Sequence, residues 1–122
     1  MNISNPIEVK AICHALGEAG DNALARAATA AAHSAPMWGA YAESARDLAM
    51  KFDAARRVTI ENINDRDIVI SALRHVARAL WDQGEKKKRW RERMRAASAA
   101  YGFLGDRIAV VTDAPAPRES LN

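Results

Sequence analysis

The stretch that decides the fold is "VISALRHVARALWDQGEKKKRWRERMRAASAAY", residues 69–101, in which every fourth and then every third residue belongs to one repeating series. Such heptad spacing is typical of an amphipathic helix with one packed seam. Only Gln83 and Lys87 interrupt the apolar character of the series. The pattern predicts one long C-terminal helix whose apolar members form a core or self-association seam: Val69, Leu73, Val76, Leu80, Trp90, Met94 and Tyr101.

A glycine near the middle of this series leaves two alternatives open. The helix continues through Gly84, or it turns there and a separate helix follows. Glycine in a helix interior is less favourable than alanine by about 1 kcal/mol, which weakens a helix without forbidding it. We therefore expect continuity through Gly84.

Upstream of the heptad series, helix start and stop signals divide the chain. Asn5 as N-cap, Pro6 at the first helical position and Glu8 three residues after the cap predict a first helix that ends at Gly17. A second, alanine-rich helix is expected from Asp21 to the residue before Pro36. A third, over residues 36–57, has an apolar stripe at helical spacing: Tyr41, Ala45, Leu48, Phe52 and Ala55.

Two further segments complete the predicted fold. The β-branched and Asn-containing run at residues 58–65 predicts a loop or a brief extended piece, with Asn64 or Asp65 capping the next helix. After Tyr101, two glycines predict that the helix stops at Gly102, and residues 107–111 then dock on the core or form a short strand. The predicted fold class is all-α, a four- to five-helix bundle-like domain over residues 1–111 with a disordered tail over residues 112–122.

Composition supports a helical fold with a thin core. Alanine occurs 27 times, and aromatic residues make up 6% of the 122-residue chain. Alanine has the highest helix propensity but buries little apolar area per residue. A core of this kind favours self-association, and we expect a homodimer.

Positive charge is concentrated in one short segment. Residues 84–95 hold seven Lys or Arg and two Glu, whereas residues 1–83 hold nine basic and ten acidic residues, and residues 96–122 hold two and three. The segment therefore supplies the whole net charge of +3. Charge that served only solubility would be spread over the surface.

Part of this charge is expected to be neutralised on the helix itself. The i, i+4 spacing predicts three ion pairs: Asp82 with Lys86, Glu85 with Arg89, and Lys88 with Glu92. Lys87, Arg91 and Arg95 then form a ladder of like charges, which favours binding of an anion. The predicted binding residues are Lys86, Lys87, Lys88, Arg89, Trp90, Arg91, Arg93 and Arg95.

Several partners suit such a segment. A nucleic-acid backbone can accept the basic side chains, with Trp90 stacked on a base or packed. An acidic protein surface fits equally well, either on another protein or on a second copy of this chain, whose predicted third helix has Glu43 and Asp47 as an i, i+4 acidic pair. An anionic membrane is a weaker alternative because the apolar edge beside the charge is narrow, and a purely solvated helix is the fourth.

No enzyme signature accompanies these features. Cys13 and His14 are adjacent and point about 100° apart on a helix, so we interpret Cys13 as an inert thiol. Asp65 and Asp67 lie at a predicted helix start, where capping explains them without a metal. With a single cysteine, no signal-peptide pattern and no membrane span, we expect a cytoplasmic, non-enzymatic protein without cofactors. Nucleic-acid binding or regulation is the leading hypothesis, and an adaptor or inhibitor that docks on an acidic partner is the alternative.

Overall fold

The computed structural model describes residues 1–113 and confirms the all-α fold class. Four α-helices account for most of this part: α1 (Pro6–Thr29), α2 (Ala35–Ala55), α3 (Ile63–Lys86) and α4 (Arg91–Asp113). A 3-10 turn, Lys88–Trp90, joins α3 to α4, and two-residue strands β1 (Asn2–Ile3) and β2 (Val58–Thr59) flank the first two helices. The chain divides into two compact units, one of residues 2–59 and one of Met1 with the residues from Ile60 onward.

Helix α1 begins where the sequence predicts and ends later. The Asn5 side chain accepts hydrogen bonds from the backbone N–H groups of Ile7 and Glu8, at 3.0 and 3.3 Å. The predicted stop at Gly17 is wrong, because α1 continues to Thr29 and includes residues 21–29 of the segment predicted as a separate helix. A Cβ built at Gly17 would meet no atom within 4 Å, so no close packing depends on this glycine. Its alanine-rich neighbours propagate the helix through it.

A second glycine of α1 has a packing role. A Cβ built at Gly20 would lie 3.2 Å from the Arg46 Cγ and 3.4 Å from the Ala42 carbonyl oxygen of α2. The absent side chain therefore lets the two helices approach closely. Arg46 also donates to the Asp21 carboxylate at 2.8 Å, which fixes the same crossing from the exposed side.

The helix predicted third along the chain is α2, and its predicted apolar stripe is largely buried. Ala45, Leu48 and Phe52 lie in the core of this unit, Tyr41 is half-buried, and Ala55 is exposed at the end of the helix. The chain leaves α2 through Arg56 in the left-handed region, with φ of 53°. It then forms β2, which pairs antiparallel with β1 through Ile3 and Val58, so the predicted brief extended piece is confirmed.

Helices α3 and α4 form an antiparallel hairpin with a continuous core. Val69, Leu73 and Val76 of α3 are buried, as are Leu104 and Ile108 of α4. The N-cap of α3 is Asn62, whose side chain accepts from the Asp65 N–H at 2.8 Å, and not Asn64 or Asp65 as predicted. The first part of the heptad series is thus an intrachain core.

The single long helix predicted over the heptad series is wrong. Helix α3 does continue through Gly84, as expected, but it ends at Lys86, and Lys87 leaves the helical region with φ −117° and ψ 86°. The chain then reverses, so that a Cβ built at Gly84 would lie 3.2 Å from the Met94 Cβ. Gly84 therefore marks the close approach of the two helices, and the polar members Gln83 and Lys87 of the series lie where the chain turns.

Helix α4 also continues through both glycines that follow Tyr101. A Cβ at Gly105 would lie 3.5 Å from the Leu73 Cβ, and one at Gly102 3.9 Å from the Ala77 Cβ, so these glycines face α3. Ser98 on the same side donates to the Ala77 carbonyl oxygen at 2.6 Å. The predicted stop at Gly102 is therefore wrong, because close packing on α3 uses small residues within a helix.

The segment predicted as a docking piece or strand, residues 107–111, belongs to α4. Thr112, which the sequence assigned to the tail, is also helical: its hydroxyl donates to the Ile108 carbonyl oxygen at 2.6 Å and accepts from the Arg66 Nε at 2.7 Å. The remainder of the predicted tail, residues 114–122, lies outside the described residues.

Candidate functional site: the basic turn

The predicted binding segment forms the connection between α3 and α4. We call residues 86–93 the basic turn: it consists of the last residue of α3, the linking Lys87, the 3-10 turn and the first residues of α4. It holds six Lys or Arg and one Glu. All of its side chains are exposed except that of Arg91, which is half-buried.

Backbone hydrogen bonds and helix ends shape this turn. The Lys87 N–H donates to the Gln83 carbonyl oxygen and the Trp90 N–H to that of Lys87, both at 3.0 Å. Lysines suit the C-terminal end of α3 because that end carries partial negative charge. The opposite holds at the N-terminus of α4, where Arg91 and Arg93 add cations to the positive end of a helix dipole and Glu92 is the acidic residue of the first turn.

The predicted ladder of Lys87, Arg91 and Arg95 does not form, because the helix that would align these residues ends at Lys86. Arg95 turns toward α3, where it pairs with the Glu85 carboxylate at 2.5 Å and lies 4.6 Å from the Trp81 ring centroid. Arg91 contacts the same helix, since its Nε donates to the Gly84 carbonyl oxygen at 3.4 Å. Two of the eight predicted binding residues therefore hold the hairpin together.

The three predicted i, i+4 ion pairs are also not found among the described residues. Lys86, Lys88 and Arg89 make no contact within 4.0 Å with the acidic residues assigned to them, and Glu85 pairs across the hairpin with Arg95 instead. The hydrogen bond from Arg95 lowers the pKa of the Glu85 carboxyl; desolvation opposes this, and the charges of Arg95 and Arg91 lower the pKa further. The three lysines of the turn are therefore not neutralised by a carboxylate in the described part of the chain.

Trp90 lies between two arginines of the turn. The guanidinium of Arg89 lies over its ring at 5.5 Å from the centroid and that of Arg93 at 5.4 Å, and the residue is 40% exposed. Both distances are within the range of cation–π contacts. A base that stacked on Trp90 would compete with these guanidinium groups, whereas a phosphate oxygen could bind their N–H groups without displacing them.

The remaining members of the predicted seam are peripheral to the hairpin core. Leu80, Met94 and Tyr101 are half-buried, whereas Trp90 is exposed. Sequence reasoning missed Trp81, which together with Glu85 holds Arg95. The sequence does show Trp81 as a large aromatic residue near the end of α3 that lies outside the heptad series. Its contact with Arg95 forms only because the chain reverses at Lys87.

The described residues of the two units carry little that would indicate an enzyme. No group of three or more His, Cys, Asp or Glu within residues 1–113 is arranged to hold a metal ion. Burial raises the pKa of the Cys13 thiol, and the Asp53 carboxylate raises it further, so this cysteine is a poor nucleophile. None of the helices in the described part has a stretch that is long and apolar enough to cross a bilayer.

Two open clefts lie away from the basic turn. One, of about 550 Å³, is lined by residues of α3 and α4: Arg66, Asp67, Ile70, Ser71, Arg74 and Ala109. Its arginines already have partners, since Arg66 binds Asp67 and Arg74 lies 3.4 Å from Asp106. The other, of about 470 Å³, is lined by Pro6, Val9, Lys10, Asp53 and Arg56 of the first unit.

Comparison of the chain with protein-family models, with curated proteins and with solved structures gives no match.

Proposed function

We propose that this protein is a small, non-enzymatic nucleic-acid-binding or regulatory protein that binds the phosphate backbone through the basic turn. The observation that supports this is the group of five exposed cations that have no carboxylate partner in the described part of the chain: Lys86, Lys87, Lys88, Arg89 and Arg93. Binding by cations requires no further motif, because phosphate neutralisation releases counterions from the nucleic acid.

The arrangement of the turn favours phosphate contacts over base contacts. The three lysines are flexible, hydrated point charges that adapt to a backbone of any sequence. Arg89 and Arg93 are positioned by the Trp90 ring, which reduces the conformational freedom lost when they bind a phosphate. We therefore expect weak dependence on base sequence and strong dependence on salt.

The test is a fluorescence-anisotropy titration of labelled single- and double-stranded DNA and RNA at several salt concentrations. Replacing Lys86, Lys87 and Lys88 by Gln should remove most of the binding and reduce the slope of log affinity against log salt by about 0.7 to 0.9 per lost contact. The matched control replaces Lys10, Lys51 and Arg78, three exposed cations elsewhere, by Gln. Both variants lose three charges, so an equal loss of affinity in the two would contradict a specific role of the basic turn.

One observation supports a second candidate function. An exposed Trp flanked by two Arg resembles the composition of binding hot spots on protein surfaces, where Trp and Arg are enriched. The protein would then be an adaptor or inhibitor that docks on an acidic partner. In that case the wild-type protein should show no measurable nucleic-acid affinity at physiological salt, and Trp90→Ala should abolish capture of an acidic protein from a lysate.

Self-association is a further part of the proposal. The buried positions Val69, Leu73 and Val76, which the sequence offered as a dimer seam, pack within the α3–α4 unit. A homodimer must therefore use another surface.

A further inference from the structure

The side of α4 that faces away from α3 is exposed and apolar. Phe103 is 69% exposed and Val110 68% exposed, and Ala96, Ala99 and Ala100 are exposed on the preceding turns. Steps of four, three and seven residues connect Ala96, Ala100, Phe103 and Val110, so these positions share one helical face. This outer face is distinct from the side of Ser98, Gly102 and Gly105, which packs on α3.

The outer face combines one large ring with several small side chains. Phe103 projects beside a surface of three alanines, which provides little apolar area of its own but allows another helix to approach closely. Charges of opposite sign lie at the two ends of the face. Glu92 is at its N-terminal end and Arg107 at its C-terminal end, and Glu92 is exposed with no ion pair among the described residues.

Two copies of this face, related by a twofold rotation, are complementary to each other. In an antiparallel pair of α4 helices whose dyad passes between residues 99 and 100, Ala99 of one copy meets Ala100 of the other. Phe103 then lies on Ala96 of the other copy, and Glu92 lies opposite Arg107. A parallel pairing would instead place Phe103 against Phe103 and Glu92 against Glu92, where the like charges repel each other.

We propose that two copies of this chain associate through the outer faces of α4, antiparallel, with the dyad between Ala99 and Ala100. A second copy fits better than an unrelated partner because a single register satisfies three kinds of contact at once. The ring of each copy packs on a small residue, the alanines allow close approach at the centre, and each end brings a carboxylate to a guanidinium. Each such contact occurs twice because the interface is isologous.

Arg107 has the chemistry that this arrangement needs. Its guanidinium carries five N–H donors in a planar fork, so it can bind a carboxylate of the second copy in addition to groups of its own chain. It lies half-buried on the flank of the face, which limits the motion of its side chain. The apolar centre and charged ends match the general anatomy of protein interfaces.

Size-exclusion chromatography with light scattering tests the proposal directly. The wild-type protein at tens of micromolar should elute with the mass of a dimer, and Phe103→Glu should elute as a monomer with unchanged helical circular dichroism. The control is Met50→Ala, which truncates another apolar residue that is 72% exposed, on α2. A monomeric wild-type protein, or a dimer that persists in Phe103→Glu, would overturn the proposal.

Charge reversal tests the antiparallel register. Glu92→Arg and Arg107→Glu should each weaken the dimer at least tenfold, because each places like charges opposite one another at both ends. The double variant Glu92→Arg with Arg107→Glu exchanges the two charges and should restore the dimer. If the double variant is weaker than either single variant, the proposed register is wrong.

Discussion

The guanidinium of Arg95 lies 4.6 Å from the centroid of the Trp81 ring and also binds the Glu85 carboxylate, so one cation of the basic segment closes the end of the α3–α4 hairpin. This residue is therefore structural, as is Arg91, whereas the other five cations of the basic turn are exposed and have no carboxylate partner in the described part of the chain. The basic side chains of residues 84–95 thus form two groups: Arg91 and Arg95 contact α3, and the others are exposed.

We predict that Arg95→Gln lowers the free energy of unfolding. The cation–π contact with Trp81 should contribute about 0.5–1 kcal/mol at this half-exposed site. A double-mutant cycle with Trp81→Leu, measured by urea unfolding, isolates that term. Arg78→Gln, at an exposed arginine of α3, is the control and should change stability little. A coupling energy indistinguishable from zero would contradict the contact.

The ion pair between Glu85 and Arg95 predicts a defined dependence on pH. Because the folded state lowers the pKa of Glu85, the carboxylate stabilises the fold above its unfolded value of about 4.3, and that contribution is lost as pH falls through the folded-state pKa. Glu85→Gln should therefore melt below the wild-type protein at pH 7, and the two curves should converge toward pH 3. Thermal melting of both proteins between pH 3 and pH 7 measures this, and melting temperatures that stay equally far apart at pH 3 would contradict the ion pair.

The glycines of the two units should respond in opposite ways to substitution. Gly84→Val should lower stability by about 1–3 kcal/mol, because the added atoms meet Met94 and the Arg91 carbonyl oxygen where α3 and α4 approach. Gly17→Ala should raise stability by up to about 1 kcal/mol, since open space surrounds that position and alanine has the higher helix propensity. Denaturant unfolding of both variants measures the difference, and an unchanged Gly84→Val would contradict the close crossing.

The core of the hairpin should depend on the first heptad positions. Leu73 is fully buried, so Leu73→Ala should destabilise the protein by about 2–5 kcal/mol. Leu80→Ala should cost less because Leu80 is half-buried, and Leu24→Ala, at a residue that is 47% exposed, serves as the surface control. Equal melting temperatures for the Leu73 and Leu24 variants would show that the predicted seam is not a core.

Local signals in the sequence predicted the parts of the fold that depend on local chemistry. Asn5 with Pro6 identified the start of α1, and the spacing of Ala45, Leu48 and Phe52 identified the buried face of α2, because capping and helical periodicity involve neighbours in the chain. The same reasoning is wrong at Gly17 and Gly102, where it predicts helix ends. A glycine can end a helix or lie within one at a close helix crossing. Which of the two occurs depends on the residues that pack against it.

The candidate site shows the same limit. The concentration of charge in residues 84–95 is a property of the sequence, but which of its side chains are exposed depends on the turn. The ladder of Lys87, Arg91 and Arg95 was wrong because it assumed one helix axis for all three residues. The reversal at Lys87 brings Met94 against Gly84, a contact that heptad spacing does not report.

Because the chain reverses at Lys87, the basic turn lies at the N-terminal end of α4, and the proposed dimer has two such turns for binding. Each basic turn lies about ten residues along α4 from the proposed dyad, which is roughly 15 Å at 1.5 Å per residue. Antiparallel helices place the two turns at opposite ends, about 30 Å apart, a separation close to the roughly 34 Å of one turn of B-form DNA. Two such sites on one duplex would bind with a high effective concentration for the second contact. A monomeric Phe103→Glu protein would then lose affinity for a duplex of two helical turns much more than for one of half a turn, although none of its phosphate-binding residues has changed.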